Sequence, residues 1–214
     1  GQMYPKADWA PRPLRAKTTL QALAMDSVQA YHHSMSHLLA DQRQVLFSAA
    51  FQRCLGGYSS LNVFRQYALQ AEIDDPLALI QYLDYKTWLV GDINTKVDRA
   101  SMAHSLEVRE PLMDHQLVEW LATLPSDLKI RGGEGKYVLK KAFEPLLPRE
   151  VLYRPKMGFS VPLASWLRGP LAQRLKESVL SPRRLASGYF NAGTLKTLVH
   201  QHVGAHHDHS TALW

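Results

Sequence analysis

Residues 96–103 read Lys-Val-Asp-Arg-Ala-Ser-Met-Ala, and residues 105–115 read Ser-Leu-Glu-Val-Arg-Glu-Pro-Leu-Met-Asp-His. If the first run is helical, Lys96 and Arg99 share one face, and Asp92 lies one turn before Lys96. The small side chains around Ser101 allow another helix to approach closely. Periodicity alone therefore favours a surface helix stabilised by ion pairs.

The composition is that of an ordinary globular protein, with 46% apolar and 21% charged residues among 214. This apolar content excludes a mainly disordered chain. The single cysteine, Cys54, excludes an internal disulfide framework and a cysteine-built zinc site. We expect it to pack in a core, and we expect a reduced, cytoplasmic compartment. Apolar runs are far shorter than the ~20 residues of a membrane span, so we expect no membrane partner.

Positive charge is concentrated in one part of the chain. Residues 127–184 carry 13 Lys and Arg against 5 Asp and Glu, a net of +8, whereas the rest carries −2. No helix-turn-helix, aromatic RNA-binding block or zinc-finger spacing accompanies this charge, so we expect no nucleic-acid partner. Solvated surface charge and a phosphate-bearing ligand remain as interpretations. The segment Tyr-Arg-Pro-Lys-Met-Gly-Phe at residues 153–159 favours the ligand.

Helix signals dominate the chain. Ser48, Asp75, Asp114 and Asn191 each precede apolar residues at a spacing of three to four, as N-cap residues do. We also predict a helix over residues 134–143. No window alternates as a strand would, so the fold is predicted to be mainly α.

Two patterns resemble functional sites without meeting their requirements. The run Gly-Gly-Glu-Gly-Lys at residues 132–136 is not a phosphate loop, because the spacing is wrong and Tyr137 replaces Ser or Thr. Five histidines crowd residues 200–209, but they lack the carboxylate and thiolate spacing of a metal site. We expect surface or capping roles for them and no metal ligands in this chain.

Four ordered blocks carry a family resemblance. Residues 96–103 and 105–115 resemble the synthetase domain of glutamine-dependent asparagine synthetases, and residues 154–159, with Pro162 and Trp166, resemble the next block. The ending at residues 208–214 resembles the start of a final helix in that family. Residues 4–11 and 131–137 resemble the exosortase-linked amidotransferase branch more narrowly. The likeness covers about residues 80–214.

The resemblance implies the fold and its partners. The chain is expected to be a mainly α, helical C-terminal fragment of an α/β synthetase domain of the pyrophosphate-loop ATPase type. Residues 1–75 would form its N-terminal portion, and residues 76–214 the portion with the motifs, within one structural unit. The glutaminase domain and the ATP-binding half would be missing parts of the same protein. Without them, the fragment is expected to expose an apolar patch and to self-associate.

The resemblance also implies the reaction. The full-length protein would use ATP and magnesium to activate a carboxylate as an acyl-adenylate, and ammonia from glutamine would convert it to an amide. Aspartate or a related small molecule would be the substrate. The fragment alone is expected to be inactive and to bind no cofactor. Two alternatives remain open: a non-catalytic helical interaction module, and a lactam-forming relative.

Two residues are candidates for catalysis. Lys156 matches a family lysine in a loop over the active site, where it would stabilise charge on phosphate or on the tetrahedral intermediate. Glu107 matches a family glutamate that would orient or deprotonate a nucleophile, although a structural pair with Arg109 is the alternative. Glu110 departs from the apolar residue usual in the family at that position.

By the same resemblance, five further residues are expected near the substrate or its phosphates: Lys96, Asp98, Arg99, Arg109 and Arg154. For Asp98 and Arg99, a structural ion pair between the two side chains is an equal alternative.

Overall fold

Helices account for most of the chain in the computed structural model, which describes residues 24–155 and 161–214. The mainly α prediction is confirmed. The described residues form two compact units, one of residues 24–62 with 161–214, the other of residues 63–155. The two units do not divide between residues 75 and 76, where the sequence motifs placed a boundary. The boundary drawn from the sequence motifs stays a prediction.

The first unit is a cluster of short helices around a buried apolar core. Its helices are Ser27–Met35, Ala40–Leu46, Ala49–Leu55, Leu163–Arg168, Ala172–Val179, Pro182–Leu185, Ala192–Val203 and Ser210–Leu213.

The core of the first unit consists of aliphatic side chains from five of these helices. Leu167 and Val199 are 3% and 2% exposed, and partly buried side chains such as Phe190 pack around them. Phe190 and Phe47 also form an isolated antiparallel bridge. The buried members are Leu46, Leu167, Leu175, Val179, Leu195, Val199 and Leu213.

The second unit carries the motif blocks at residues 96–103 and 105–115. Its helices are Pro76–Asp84, Thr95–Met102, His115–Thr123, Ser126–Lys129, Tyr137–Phe143 and Arg149–Leu152, with a π-helix at Tyr85–Asn94 and a 3₁₀ turn at Pro111–Met113. The helix Leu61–Ala71 begins in the first unit and continues into the second.

The predicted N-caps are confirmed. The side chains of Ser48, Asp75 and Asn191 accept hydrogen bonds from backbone N–H groups three residues later. The Asp114 carboxylate accepts from two backbone N–H groups. The helix after Ser48 ends at Gly56, whose φ of 55° is the left-handed conformation that glycine adopts readily.

Residues 130–135 form a hairpin that the sequence reading missed. Ile130–Arg131 pairs antiparallel with Glu134–Gly135. Gly132 and Gly133 between them have φ of 58° and 81°, as a two-residue hairpin turn requires. The prediction of a helix from residue 134 is therefore wrong at its start, since the helix begins at Tyr137.

Two further features differ from expectation. Cys54 is exposed, so the prediction that it packs in a core is wrong. The ten residues of the π-helix were not predicted as a distinct element. Within the described ranges, every helix is too short or too polar to cross a bilayer.

Candidate functional site

Residues between 94 and 114 line an open cleft of about 510 Å³. The helix Thr95–Met102 ends in a turn at Ser105, whose φ of 57° reverses the chain direction. Pro111 then starts the 3₁₀ turn that leads to the Asp114 cap. The lining residues are Asn94, Val97, Asp98, Val108, Arg109, Glu110, Pro111, Met113 and Asp114.

The cleft brings together two of the predicted site residues, Asp98 and Arg109. Two further carboxylates, Glu110 and Asp114, line it, and Asp114 is also bound to the N-terminus of the next helix. Three carboxylates outnumber one guanidinium. The cleft therefore suits a cationic group and does not fit the triphosphate of ATP.

Glu107 and Arg109 form an ion pair, with 2.6 Å between Oε1 and Nη2. Their side chains are 66% and 85% exposed, so solvent screens the pair strongly. This is the structural pairing that the sequence left open as an alternative. Glu107 does not line the cleft, and its catalytic role stays a prediction.

The predicted salt bridge on the motif helix is present. Lys96 Nζ lies 3.0 Å from Asp92 Oδ1, one helical turn away. Asp98 and Arg99 are both exposed, and the ion pairs among described residues do not include either of them. The alternative of an Asp98–Arg99 ion pair is therefore wrong, and the proximity of Lys96 and Arg99 to substrate stays a prediction.

Three cations lie around Tyr153, and Arg154 follows it in sequence. We call these four residues the basic cluster: Lys140, Lys141, Arg149 and Arg154. The Tyr153 hydroxyl donates a hydrogen bond of 2.6 Å to Glu144, which also accepts from Lys141 at 2.9 Å. Lys140 also forms an ion pair with Glu134, so four cations lie near two carboxylates. The net charge of the cluster is still positive and favours a phosphate, unlike that of the cleft. Lys156 itself lies outside the described residues.

The comparisons with known proteins agree with the motif blocks. The family model of asparagine synthase matches residues 3–214. The chain belongs to the asparagine synthase family. A putative glutamine-hydrolysing asparagine synthetase of Mycobacterium tuberculosis is 39% identical over 141 residues. Asparagine synthetase 1 of Bacillus subtilis, also glutamine-hydrolysing, is 31% identical over 153 residues.

The matches cover most of this chain but a small part of the relatives. They extend over 65% and 72% of this chain, and over 21% and 24% of the mycobacterial and Bacillus proteins. The chicken enzyme, a glutamine-hydrolysing asparagine synthetase, is 44% identical over 73 residues, 33% of this chain and 13% of that protein. No solved structure matches the chain.

The asparagine synthase family model matches residues 3–214, so the match includes all four motif blocks. The cleft and the basic cluster both lie in the second unit, within the segment that carries the motif blocks. The family assignment therefore falls on the same residues from which the sequence motifs indicated it.

One buried polar residue escaped the sequence reading. His202 is fully buried, and its Nδ1 accepts a hydrogen bond of 3.1 Å from the His209 N–H at the start of the last helix. Burial, followed by the charge of Arg168, lowers the pKa of His202. The surface role that the sequence allowed for the histidines is therefore wrong for His202, which accepts from the backbone of His209 inside the first unit. Across residues 24–155 and 161–214, no three His, Cys, Asp or Glu residues are placed to hold a metal ion.

Proposed function

We propose that the chain is part of an ATP-dependent, glutamine-hydrolysing ligase that converts a carboxylate, aspartate or a relative of it, to an amide. The observation that carries this proposal is the match of the asparagine synthase family over residues 3–214. We place the protein in the cytoplasm and in the exosortase-linked branch, on the motif resemblance alone.

The proposed reaction has two steps. A carboxylate oxygen of the substrate attacks the α-phosphorus of ATP, and pyrophosphate leaves with its electron pair. Ammonia released from glutamine then attacks the acyl carbon, and AMP leaves. Magnesium neutralises the phosphate charge of the nucleotide, which is a substrate here.

The two charged regions of the second unit suit different parts of this reaction. The carboxylates Asp98 and Glu110 favour a cation, such as the ammonium group of an amino-acid substrate or ammonia after protonation. Arg154, a member of the basic cluster, and Lys156, two residues further along the chain, would face the phosphates. Lys156 would stabilise the charge that develops on the leaving pyrophosphate.

The nucleotide itself requires a cradle of backbone N–H groups, and the glycine run at residues 132–136 does not have the spacing of a phosphate loop. We therefore expect residues 1–214 alone neither to hydrolyse ATP nor to bind it with micromolar affinity. Calorimetry with ATP and magnesium measures this directly. Tight, magnesium-dependent binding would show that the chain carries its own nucleotide site.

The reaction is tested with the full-length protein. ATP, magnesium, glutamine and a panel of carboxylates that starts with aspartate are supplied, and AMP, pyrophosphate and amide are quantified. The proposal requires one AMP and one pyrophosphate for each amide formed. Amide formation with ADP and phosphate as products would contradict the adenylate step.

Lys156→Ala in the full-length protein is expected to keep glutaminase activity and to lose amide formation ~100-fold or more, the effect of removing one preorganised charge. Lys156→Arg should not restore it fully, because guanidinium is larger and planar. Lys196→Ala, on an exposed helix face of the first unit, is the matched control. Near-normal amide formation by a folded Lys156→Ala protein would end the role proposed for this lysine.

A further inference from the structure

Tyr153 is held by residues of the two helices that precede it. Its hydroxyl donates to Glu144 Oε1 at 2.6 Å. The guanidinium of Arg149 and the ammonium of Lys140 lie over its ring, 4.8 and 5.2 Å from the centroid. Cations at these distances are attracted by the electron-rich face of the ring. The phenol is therefore restrained at both its ring and its hydroxyl.

Glu144, the hydrogen-bond acceptor, is restrained in turn. Lys141 Nζ lies 2.9 and 3.1 Å from its two carboxylate oxygens. The hydrogen bond from Tyr153, and then that from Lys141, lowers the pKa of Glu144. The carboxylate therefore stays ionised at neutral pH and keeps accepting the tyrosine proton.

These contacts act on the next residue, Arg154. Tyr153 anchors the backbone on its N-terminal side, and Pro155 restricts Arg154 to extended conformations on the other. The Arg154 side chain is exposed, and the ion pairs among the described residues do not involve it. The backbone of Arg154 is restrained in this way, and its guanidinium offers a planar pair of donors that matches phosphate oxygens.

We propose that Tyr153 is a positioning residue, which through its bond to Glu144 directs Arg154 toward a phosphate of the nucleotide. This inference rests on the proposed function, because the phosphate belongs to the ATP or pyrophosphate of that reaction.

The test uses Tyr153→Phe in the full-length protein. Loss of the hydroxyl is expected to weaken pyrophosphate binding about tenfold, as measured by calorimetry, and to lower kcat/KM for ATP by about the same factor. Both effects are smaller than the ~100-fold loss that follows when a reacting group is misplaced. Glutaminase activity should not change. Glu144→Gln should keep most of the activity, because its amide oxygen still accepts the hydrogen bond.

Tyr137 provides a matched control. Its hydroxyl also makes a hydrogen bond, accepted from Arg131 at 3.1 Å, and the same guanidinium lies 4.8 Å from its ring centroid. It is remote in sequence from Arg154. Tyr137→Phe should therefore leave pyrophosphate binding and the kinetics for ATP unchanged. Equal losses in the two phenylalanine variants would overturn the inference.

A double-mutant cycle separates positioning from general stability. If Tyr153 acts through Arg154, adding Tyr153→Phe to Arg154→Ala costs no further affinity for pyrophosphate. If the wild-type protein is active and the losses of the two substitutions add, the inference is overturned and the proposed function is left intact. A wild-type protein that neither binds pyrophosphate nor releases it from ATP overturns both.

Discussion

The two units of the chain differ in how they bury apolar side chains. In the first unit, seven aliphatic side chains form one buried core. In the described part of the second unit, Leu83 is the one apolar side chain that is buried. Most of the exposed large apolar side chains belong to this second unit, among them Leu106 and Leu112 at 60% and 62% exposure. The unit that carries the motif blocks at residues 96–103 and 105–115 therefore buries far fewer apolar side chains than the first unit.

This difference has an energetic meaning. Each leucine that is taken from water into an apolar environment contributes about 1.5–3 kcal/mol. The first unit gains this within itself, whereas side chains such as Leu106 gain it only when another surface covers them. We expect the second unit to be stabilised by further polypeptide of the same protein or, in its absence, by self-association.

The largest effect on stability is expected from truncating the first core. Leu167→Ala should lower the free energy of unfolding by about 2–5 kcal/mol, because it leaves a cavity among well-packed neighbours. Leu106→Ala in the second unit, the same substitution at an exposed site, should change it by about 0.5 kcal/mol or less. Urea denaturation followed by circular dichroism measures both. Comparable losses would remove the distinction between the units.

The exposed apolar side chains of the second unit predict self-association of residues 1–214. Replacing Leu106 and Leu112 together by glutamine should weaken that association at least about tenfold, since each leucine contributes more than 1.4 kcal/mol when buried. Sedimentation velocity over a concentration series measures the change. A wild-type chain that stays monomeric at all concentrations would contradict the expected exposure.

A smaller effect compares two asparagines, one from each unit. The Asn191 side chain accepts a hydrogen bond of 3.0 Å from Thr194 N–H, so Asn191→Ala should cost about 1 kcal/mol of stability. Asn94 precedes the helix Thr95–Met102 but makes no such bond. Asn94→Ala should therefore leave thermal stability nearly unchanged. An equal drop in melting temperature would show that capping does not explain the Asn191 effect.

The smallest expected effect is a pH dependence of stability that arises from a buried histidine of the first unit. Folding lowers the pKa of His202, chiefly through burial, so the unfolded chain binds more protons below about pH 6.5. Stability is then expected to fall as pH decreases below that value. Asp208, 3.6 Å from His202 Nδ1, opposes the shift, whereas Arg168 adds to it.

The control is His202→Gln, which keeps an acceptor for the His209 N–H but does not titrate. Its melting temperature should be lower at pH 8 but should fall less between pH 7.5 and 5.5. His32, whose pKa burial also lowers, accounts for part of the remaining slope. A slope that the substitution leaves unchanged would assign the pH dependence to other groups.

Local signals in the sequence predicted local structure well. The caps at Ser48, Asp75, Asp114 and Asn191 are formed by side chain and backbone within three residues, so the sequence contains everything that decides them. The hairpin was missed because two residues in each strand are too few to alternate visibly. Its signal was the Gly132–Gly133 pair, which suits a turn with two positive φ values.

The candidate site was predicted only in part. Asp98 and Arg109 both line the cleft because the chain turns at Ser105. The spacing of apolar residues does not predict a positive φ at a serine. The burial of His202 was missed and the exposure of Cys54 was misjudged for a related reason. Whether a side chain is buried depends on which helices pack together, and this information lies in distant residues.

The contrast between the units is tested most directly by hydrogen exchange of backbone amides, measured on residues 1–214 alone and on the full-length protein. We expect strong protection of the helices Ala172–Val179 and Ala192–Val203 in both samples. We expect weak protection of Thr95–Met102 and Tyr137–Phe143 in the isolated chain, and at least about a hundredfold more in the full-length protein. Equal protection of the second unit in the two samples would contradict the claim that it depends on contacts from outside this chain.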